Sequence, residues 1–224
     1  MSAAGISDPA EFIRANTRLQ APPHVPEISL HLADEAMELW KLTEEQLETL
    51  GLPLPFWAFA WAGGQALARW ILDHPETVAG RTVLAFAAGA GLEAIACAKA
   101  GAKRVLATEI DPFALVALEL NASMNGVSIA ISGLDVLECG LAGLPLAPEV
   151  ILLGDVFFER PLADRVAAFA AEAVGRGIDV FVGDPGRSYL PKERMEPLAE
   201  YRVPTTRALE DAEVKCSRVW RFLG

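Results

Sequence analysis

The residues with the most pointed chemistry are Asp155-Val156-Phe157-Phe158, which leave directly from the apolar run Glu149-Val150-Ile151-Leu152-Leu153. The end of a parallel strand facing a crevice is where an open α/β sheet does its chemistry. An acid followed three residues later by a ring, at that place, can hold an amine beside an electrophilic methyl group. Such a transfer is an in-line displacement, so the protein mainly aligns and desolvates, and positioning of this kind contributes on the order of 7–11 kcal/mol. Phe157 or Phe158, with Trp57 or Trp61, can offer π faces to a cation, worth roughly 0.5–2 kcal/mol each where water is excluded. Successive side chains of a strand point to opposite faces, so one phenylalanine belongs to the core and Phe158 is expected to face the site. Attack requires a neutral amine while a carboxylate favours the charged one, so the proton must leave to water or be destabilised by burial.

A second constellation lies upstream. Val83-Leu84-Ala85-Phe86 runs into Ala87-Ala88-Gly89-Ala90-Gly91, a buried strand entering a glycine turn that brings bare backbone close to a ligand. Glu109 closes the next strand, where a carboxylate can accept both hydroxyls of a ribose; without it the glycines are equally well a tight strand-to-helix turn. Gly89 to Ala94 also satisfies the dinucleotide pattern G-x-G-x-x-A, but the chain that follows is too short for a second mononucleotide half and a substrate domain. S-adenosylmethionine, which needs no pyrophosphate cradle, fits better. Asp135-Val136 is placed to accept from an adenine amino group and to pack on its face, or else Asp135 is a helix cap.

These residues need a scaffold, and the pattern supplies one. Strands are expected at 81–86, 104–108, 128–132, 150–153 and 179–182, with helices at 91–101, 112–125 and 161–174 and a short helix near 191–200. Strands alternating with helices imply a parallel sheet. Asp111 can cap, Pro112 suits the first helical position and Asn125-Gly126 closes that helix. Tyr201 to Thr205 and Val214 to Phe222 look like two strands, an antiparallel ending on a mostly parallel, Rossmann-like α/β sheet. Residues 8 to 50 read as mixed helix, broken at Ala21-Pro22-Pro23-His24-Val25-Pro26 and followed by a charged stretch from Leu42 to Leu50. The expected division is a helical, cofactor-covering cap over residues 1–64 and a catalytic domain over residues 65–224.

Composition narrows the classes. Thirty acids against nineteen bases give a net charge of −11 over 224 residues, the wrong sign for gripping nucleic acid; the acidity either attracts a basic, lysine-bearing protein or equally well serves only to keep the chain soluble. Cys97, Cys139 and Cys216 are an odd count with no paired spacing, and His24, His31 and His74 are scattered, so mostly buried thiols and no metal site are expected. Charged residues, proline and glycine interrupt every apolar run before membrane-spanning length, and Asp8 and Glu11 in the opening segment do not suit a leader. A cytoplasmic monomer is the default.

Asn16-Thr17-Arg18-Leu19, Pro26-Glu27-Ile28, the segment from Pro55-Phe56-Trp57 through Trp61-Ala62-Gly63-Gly64-Gln65-Ala66-Leu67, Asp111-Pro112, Gly154-Asp155-Val156-Phe157-Phe158, Leu162-Ala163-Asp164, Gly183-Asp184-Pro185-Gly186-Arg187 and Val219-Trp220 extend the argument to nearly the whole chain. Together they resemble the electron transfer flavoprotein beta-subunit lysine methyltransferases, seven-strand enzymes of the S-adenosylmethionine class. The resemblance implies cofactor contact at Gly89, Gly91, Glu109 and Asp135, with Trp57, Trp61 and Gln65 folding over the cofactor, and Asp155 and Phe158 holding the acceptor lysine. Asp184 and Arg187, on the rim after the fifth strand, are placed to shape the lysine's approach, or form only a tight turn. The sequence departs from the family at Ala85 and Ala87, where the family carries an acid and a first glycine. The missing acid removes an anchor for the methionine ammonium, a role Glu93 or Asp155 can take.

Three rivals remain open at this stage. The same chemistry can serve another protein, such as a ribosomal protein. A decayed methyltransferase can persist as a binding module, or the glycine turn can hold a nicotinamide cofactor.

Overall fold

The computed structural model describes residues 8–33, 54–210 and 212–224. Its centre is a seven-stranded sheet built from β3 (Thr82–Phe86), β4 (Arg104–Thr108), β5 (Ala130–Ser132), β6 (Val150–Gly154), β7 (Asp179–Asp184), β8 (Met195–Pro204) and β9 (Val214–Phe222), in the order β5-β4-β3-β6-β7-β9-β8. The pairs among β3 to β7 are parallel, while β9 runs antiparallel to both β7 and β8. The order turns back at β3, which pairs with β4 on one side and β6 on the other, and a crevice opens beyond the carboxyl ends of strands at such a switch point.

Two helical layers cover the sheet because its central strands are apolar on both faces. On one face α2 (Ala62–Asp73) and α3 (Leu92–Lys99) bury Leu67, Ile71, Ala94 and Ile95 against Val83, Ala85, Leu152 and Phe181. On the other, α6 (Arg160–Gly175) packs Val166, Phe169 and Ala170 against Leu84, Ile151, Leu153 and Val180. Between β4 and β5, α4 (Pro112–Met124) opens as its sequence predicts, with Asp111 accepting from the Phe113 N–H and Pro112 in the first turn. Closest approach between layers falls at Gly63 and Gly183. A β-carbon added to either residue would run into the backbone of the other.

The amino-terminal segment differs from the expected mixed helix. After α1 (Pro9–Asn16), β1 (Arg18–Gln20) and β2 (Leu30–Leu32) form an antiparallel ladder, which the side chains of Asn121 and Asn125 fasten to α4 through the N–H groups of His31 and Ser29. Val25, Ile28, Leu30 and Leu32 join the same apolar cluster as α2 and α3, so this segment shares its core with the sheet domain, and α2 begins three residues before the expected boundary at 65. The charged stretch from Leu42 to Leu50 lies outside the described residues.

The helix expected near 191–200 is a short turn at Lys192–Arg194 followed by β8. Its Lys, Glu, Met, Leu and Ala favour helix, but Pro197 forbids a helix interior and is tolerated on an edge strand, where a register shift between Pro197 and Ala199 absorbs it. Of the three free cysteines Cys97 is buried, Cys139 is half-buried and Cys216 is exposed, a less buried set than expected. Among the described residues no helix is long and apolar enough to cross a membrane, and no cluster of His, Cys, Asp or Glu could hold a metal.

Candidate active site

A cleft of about 420 Å³ opens at the switch point, lined by the carboxyl ends of β3, β4 and β6 and by the start of α5 (Val136–Cys139). It falls within the size range of ligand sites. Phe86, Ala87 and Gly89 come from the β3 end, Glu109 and Ile110 from β4, Asp135, Val136 and Leu137 from α5, and Gly154, Asp155 and Phe158 from β6. Phe56, Trp61, Leu162, Arg165 and Arg187 close the rim.

The end formed by β3, β4 and α5 is built for a nucleoside. Gly89 sits at φ +52°, and a β-carbon there would find only the Trp57 Cα nearby, at 3.8 Å, so bare backbone faces the cleft. Its N–H donates to Glu109 Oε1 at 3.1 Å, while Glu109 Oε2 accepts from the Ile110 N–H at 2.8 Å, which locks the carboxylate to the glycine turn. Asp135 Oδ1 accepts from the N–H groups of Leu137 and Glu138, so the residue caps α5, and it also lines the cleft. A carboxylate for ribose hydroxyls, apolar walls from Phe86, Ile110 and Val136 for a purine, and a glycine floor fit the adenosine portion of S-adenosylmethionine.

At the opposite end Asp155 is the organising group. Its φ of +57° is in the left-handed region that Asp visits more readily than most residues, and its N–H donates to the Gly183 carbonyl. That turn sends the carboxylate back toward α2. Oδ2 accepts from the Gly63 N–H at 3.0 Å and Oδ1 from Arg187 Nε at 2.6 Å. Arg187 Nη2 also donates to Glu210 Oε1 at 3.1 Å, and Glu210 accepts from the Ala62 N–H at 3.2 Å. The residue preceding α2, Trp61, offers no capping side chain. Two site carboxylates therefore satisfy the first amides of that helix and sit at the positive end of its dipole. Burial works against the Arg187 charge, yet the Asp155 hydrogen bond and the charges of Asp155 and Glu210 push it above its ordinary value. Burial and the Asp155 charge push the Glu210 carboxyl up, with Arg187 opposing.

The aromatic residues divide cleanly. Phe158 is 44% exposed and lines the cleft, whereas Phe157 is wholly buried under α6; β6 has already ended at Gly154, so the irregular turn after it, not strand alternation, sets the two rings apart. Phe56 lies 5.8 Å from Phe158 and 6.0 Å from Trp61, ring centre to ring centre, and Trp61 Nε1 donates to the Phe56 carbonyl. The Arg187 guanidinium sits over the Trp61 ring at 5.8 Å. These three rings and the Asp155 carboxylate suit a lysine side chain with a cationic or freshly deprotonated tip.

Five expected site residues lie off the cleft, the buried Phe157 among them. Trp57 packs with Ile13, Phe113 and Ala117 in a separate core cluster because the Phe56–Ala58 turn directs it inward and Phe56 outward. Gln65 donates to the Ala60 carbonyl and accepts from the His24 N–H, which ties the amino-terminal segment to α2. It lines a separate cavity of about 570 Å³ formed with Pro22, Pro23, Phe59 and Thr205, away from the strand ends. Gly91, at φ +89°, begins α3 with Leu118 against it. Asp184 is buried and accepts from the N–H groups of Gly186 and Arg187, so it forms the turn that carries Arg187 rather than touching the cleft; burial first, then the Asp155 charge, raise its carboxyl to about 6. Phe56 and Glu210 were missed. The first was legible as the alternate partner of a buried Trp57, while nothing in the sequence joins Glu210 to a site formed so far upstream.

Comparison with known proteins agrees with this geometry. The family model for ribosomal protein L11 methyltransferase (PrmA) matches residues 69–140, the segment that carries Gly89, Glu109 and Asp135. The crystal structure of Trm5b from Pyrococcus abyssi superposes with a TM-score of 0.53 at 15% identity, over 92% of this chain and 56% of that one, a likeness of fold alone. Sheet order, switch-point cleft and family match define an S-adenosylmethionine-dependent methyltransferase of the seven-strand class. The electron transfer flavoprotein beta subunit lysine methyltransferase of Xenopus laevis is 34% identical over 220 residues, which are 96% of this chain and 87% of that protein. The human enzyme of the same name is 31% identical over 218 residues, 94% and 80% of the two chains. The chain belongs to the electron transfer flavoprotein beta subunit lysine methyltransferase family, and its cofactor is S-adenosylmethionine.

Proposed function

We propose that the acceptors are lysine side chains of an electron transfer flavoprotein beta subunit, methylated in the cleft between Asp155 and Phe158 by a cytoplasmic monomer. The observation that carries the reading is the constellation at the β6 end: a buried carboxylate beside a three-ring mouth, in a chain similar to named lysine methyltransferases over nearly its whole length. The match to the ribosomal-protein family ends before Asp155, so it speaks for cofactor binding and not for a ribosomal substrate. A net charge of −11 favours encounter with a basic, lysine-bearing surface.

When bound, S-adenosylmethionine supplies an electrophilic methyl group on a sulfonium; Gly89, Glu109, Asp135 and Val136 would hold its adenosine portion. The chain's own residues prepare the amine. Phe56, Trp61 and Phe158 strip water from the lysine stem and confine its direction. Asp155 accepts from the amine and aims its lone pair, but its charge is already shared with Arg187 and the Gly63 N–H. That sharing answers the protonation problem, because a carboxylate neutralised by a fixed guanidinium holds a lysine cation far less strongly than a bare one. The amine gives its proton to water at the cleft mouth, which leaves its lone pair free to face the methyl group that the bound cofactor would supply, and no residue of this chain need bond covalently to the methyl group.

The test is transfer of label from radiolabelled S-adenosylmethionine to purified electron transfer flavoprotein, with hydrolysis to identify the modified residue. Label in methyl-lysine of the beta subunit is expected. A cell extract in which another protein takes the label while the flavoprotein takes none would overturn the substrate.

A further inference from the structure

A ligand with an amino-acid end places an ammonium group somewhere in this cleft, and a buried ammonium needs a carboxylate. The carboxylates around the cleft are mostly committed. Glu109 is bound to the glycine turn at the nucleoside end, Asp135 caps α5, and Asp155 takes Arg187 and Gly63. Glu93 is different. It stands in the first turn of α3, and its carboxylate packs against two glycines, Gly64 of α2 and Gly154 of β6. A β-carbon at Gly64 would lie 2.7 Å from Glu93 Oε1, and one at Gly154 would collide with the same oxygen. Gly154 lines the cleft, so the carboxylate backs the cleft wall at the end where Asp155 begins.

The sequence leaves this place to Glu93. Ala85 of β3 pairs with Leu152 of β6, and both pack in the α2–α3 layer; Gly154, two residues beyond Leu152, turns the same way. The strand side of the pocket therefore offers only Ala85 and Gly154, and the helix side supplies the acid. Burial raises the Glu93 carboxyl to about 7, its own N–H pulls the other way, and the Asp155 charge adds to the rise, with no cation among these influences. The other titratable group against it is Cys97, one turn further along α3, whose thiol burial and the Glu93 charge both push up. Gly64 and Gly154 bring no side chain of their own.

We propose that Glu93 is the counter-ion for the methionine ammonium of S-adenosylmethionine, and that its seat between Gly64 and Gly154 sets recognition of the amino-acid end of the cofactor. The inference rests on the assignment of the cleft to that cofactor. It makes binding proton-linked: near pH 7 the free protein holds part of a proton on Glu93, and an arriving ammonium expels it.

Calorimetry with two probes tests this without turnover. S-adenosylhomocysteine carries the ammonium; methylthioadenosine keeps the nucleoside and thioether and lacks it. Glu93→Gln should weaken S-adenosylhomocysteine by about tenfold to a hundredfold, the worth of a buried charge-assisted bond, and leave methylthioadenosine within about twofold. For the wild-type protein at pH 7, binding of S-adenosylhomocysteine should release a fraction of a proton, read from the buffer dependence of the enthalpy, and methylthioadenosine should release none. Equal weakening of both probes, or no weakening of either, would overturn the proposal, as would absence of proton release in the wild type, which needs no variant to fold. Failure of the wild type to bind either probe would instead overturn the cofactor assignment beneath it.

Discussion

Replacing Asp155 with asparagine separates charge from shape at the one position where backbone strain, helix capping and substrate recognition meet. Asparagine is the other residue that tolerates a φ of +57°, so the turn itself is undisturbed. The carboxylate, however, accepts from two donors, Arg187 Nε at 2.6 Å and the Gly63 N–H at 3.0 Å, and an amide offers one oxygen and one NH₂. One donor must face another. Loss of a hydrogen bond to a charged group is worth roughly 1.5–3 kcal/mol, and breaking a buried pair outright 3–5 kcal/mol. Arg187 keeps Glu210 and remains about a fifth exposed, so the lower range applies and the expected loss of stability is about 2 kcal/mol. In a chain of this size that is a fall in Tm of about 4–8 °C. Asp155→Ala adds the left-handed strain of a residue without a stabilising side chain, on the order of 1 kcal/mol more. In single-turnover assays Asp155→Asn should slow methyl transfer about a hundredfold, an electrostatic loss of the size seen when one transition-state contact is removed, while S-adenosylhomocysteine affinity changes by less than about threefold, since the nucleoside end is untouched. An Asp155→Asn protein of normal rate and normal Tm would refute both the hydrogen-bond account and the proposed role of the carboxylate.

Gly63→Ala places a methyl group against the Gly183 backbone, and overpacking of this kind should lower stability in urea titration by at least about 2 kcal/mol. Glu109→Ala removes the ribose acceptor and frees the Gly89 N–H, so S-adenosylhomocysteine and methylthioadenosine should both weaken by about tenfold or more, unlike the selective loss expected at Glu93. Phe158→Ala should raise the KM for the protein substrate several times more than it lowers kcat, as read from initial rates. The raised carboxyl of Glu93 gives a signed pH effect: the folded protein keeps a proton that the unfolded chain releases near its ordinary value of 4.5, so this group's contribution falls as pH rises from about 4.5 to about 7 and is flat above. Glu93→Gln should therefore gain stability relative to wild type across that window, with a slope of up to about 1.4 kcal/mol per pH unit; a difference that shrinks with rising pH would contradict the assignment.

What the sequence revealed and what it hid follow from the range of the forces involved. β3, β4 and β6 are central strands whose buried runs have one reading, and Gly89 and Glu109 follow β3 and β4 while Asp135 follows β5, so local pattern placed all three at the cleft. Phe158 was expected at the site from strand alternation, but β6 ends at Gly154 and the left-handed turn at Asp155 sets the two rings apart instead. The first part of β8, up to residue 200, was misread because it lies on an edge strand whose pairing with β9 overrides helix-forming residues, and a one-dimensional pattern does not record that partner; its continuation from Tyr201 was expected as strand. The β1–β2 ladder was missed for the same reason, since each strand is three residues long and depends on Asn121 and Asn125 of α4. Trp57 and Gln65 were expected over the cofactor only because the resemblance implied it, and here Trp57 turns into a core cluster while Gln65 binds the Ala60 carbonyl and the His24 N–H. Glu210 joins the site only because β7 and β9 bring the loop after β8 back over α2.

The most direct measurement is a crystal structure with S-adenosylhomocysteine. The account predicts adenosine between Glu109 and Asp135, the amino-acid ammonium beside the Glu93 seat at Gly154, and the sulfur facing the space framed by Asp155, Phe56 and Phe158. Ligand bound instead in the cavity lined by Pro22, Gln65 and Thr205, or with its amino-acid end turned away from Gly154, would contradict it.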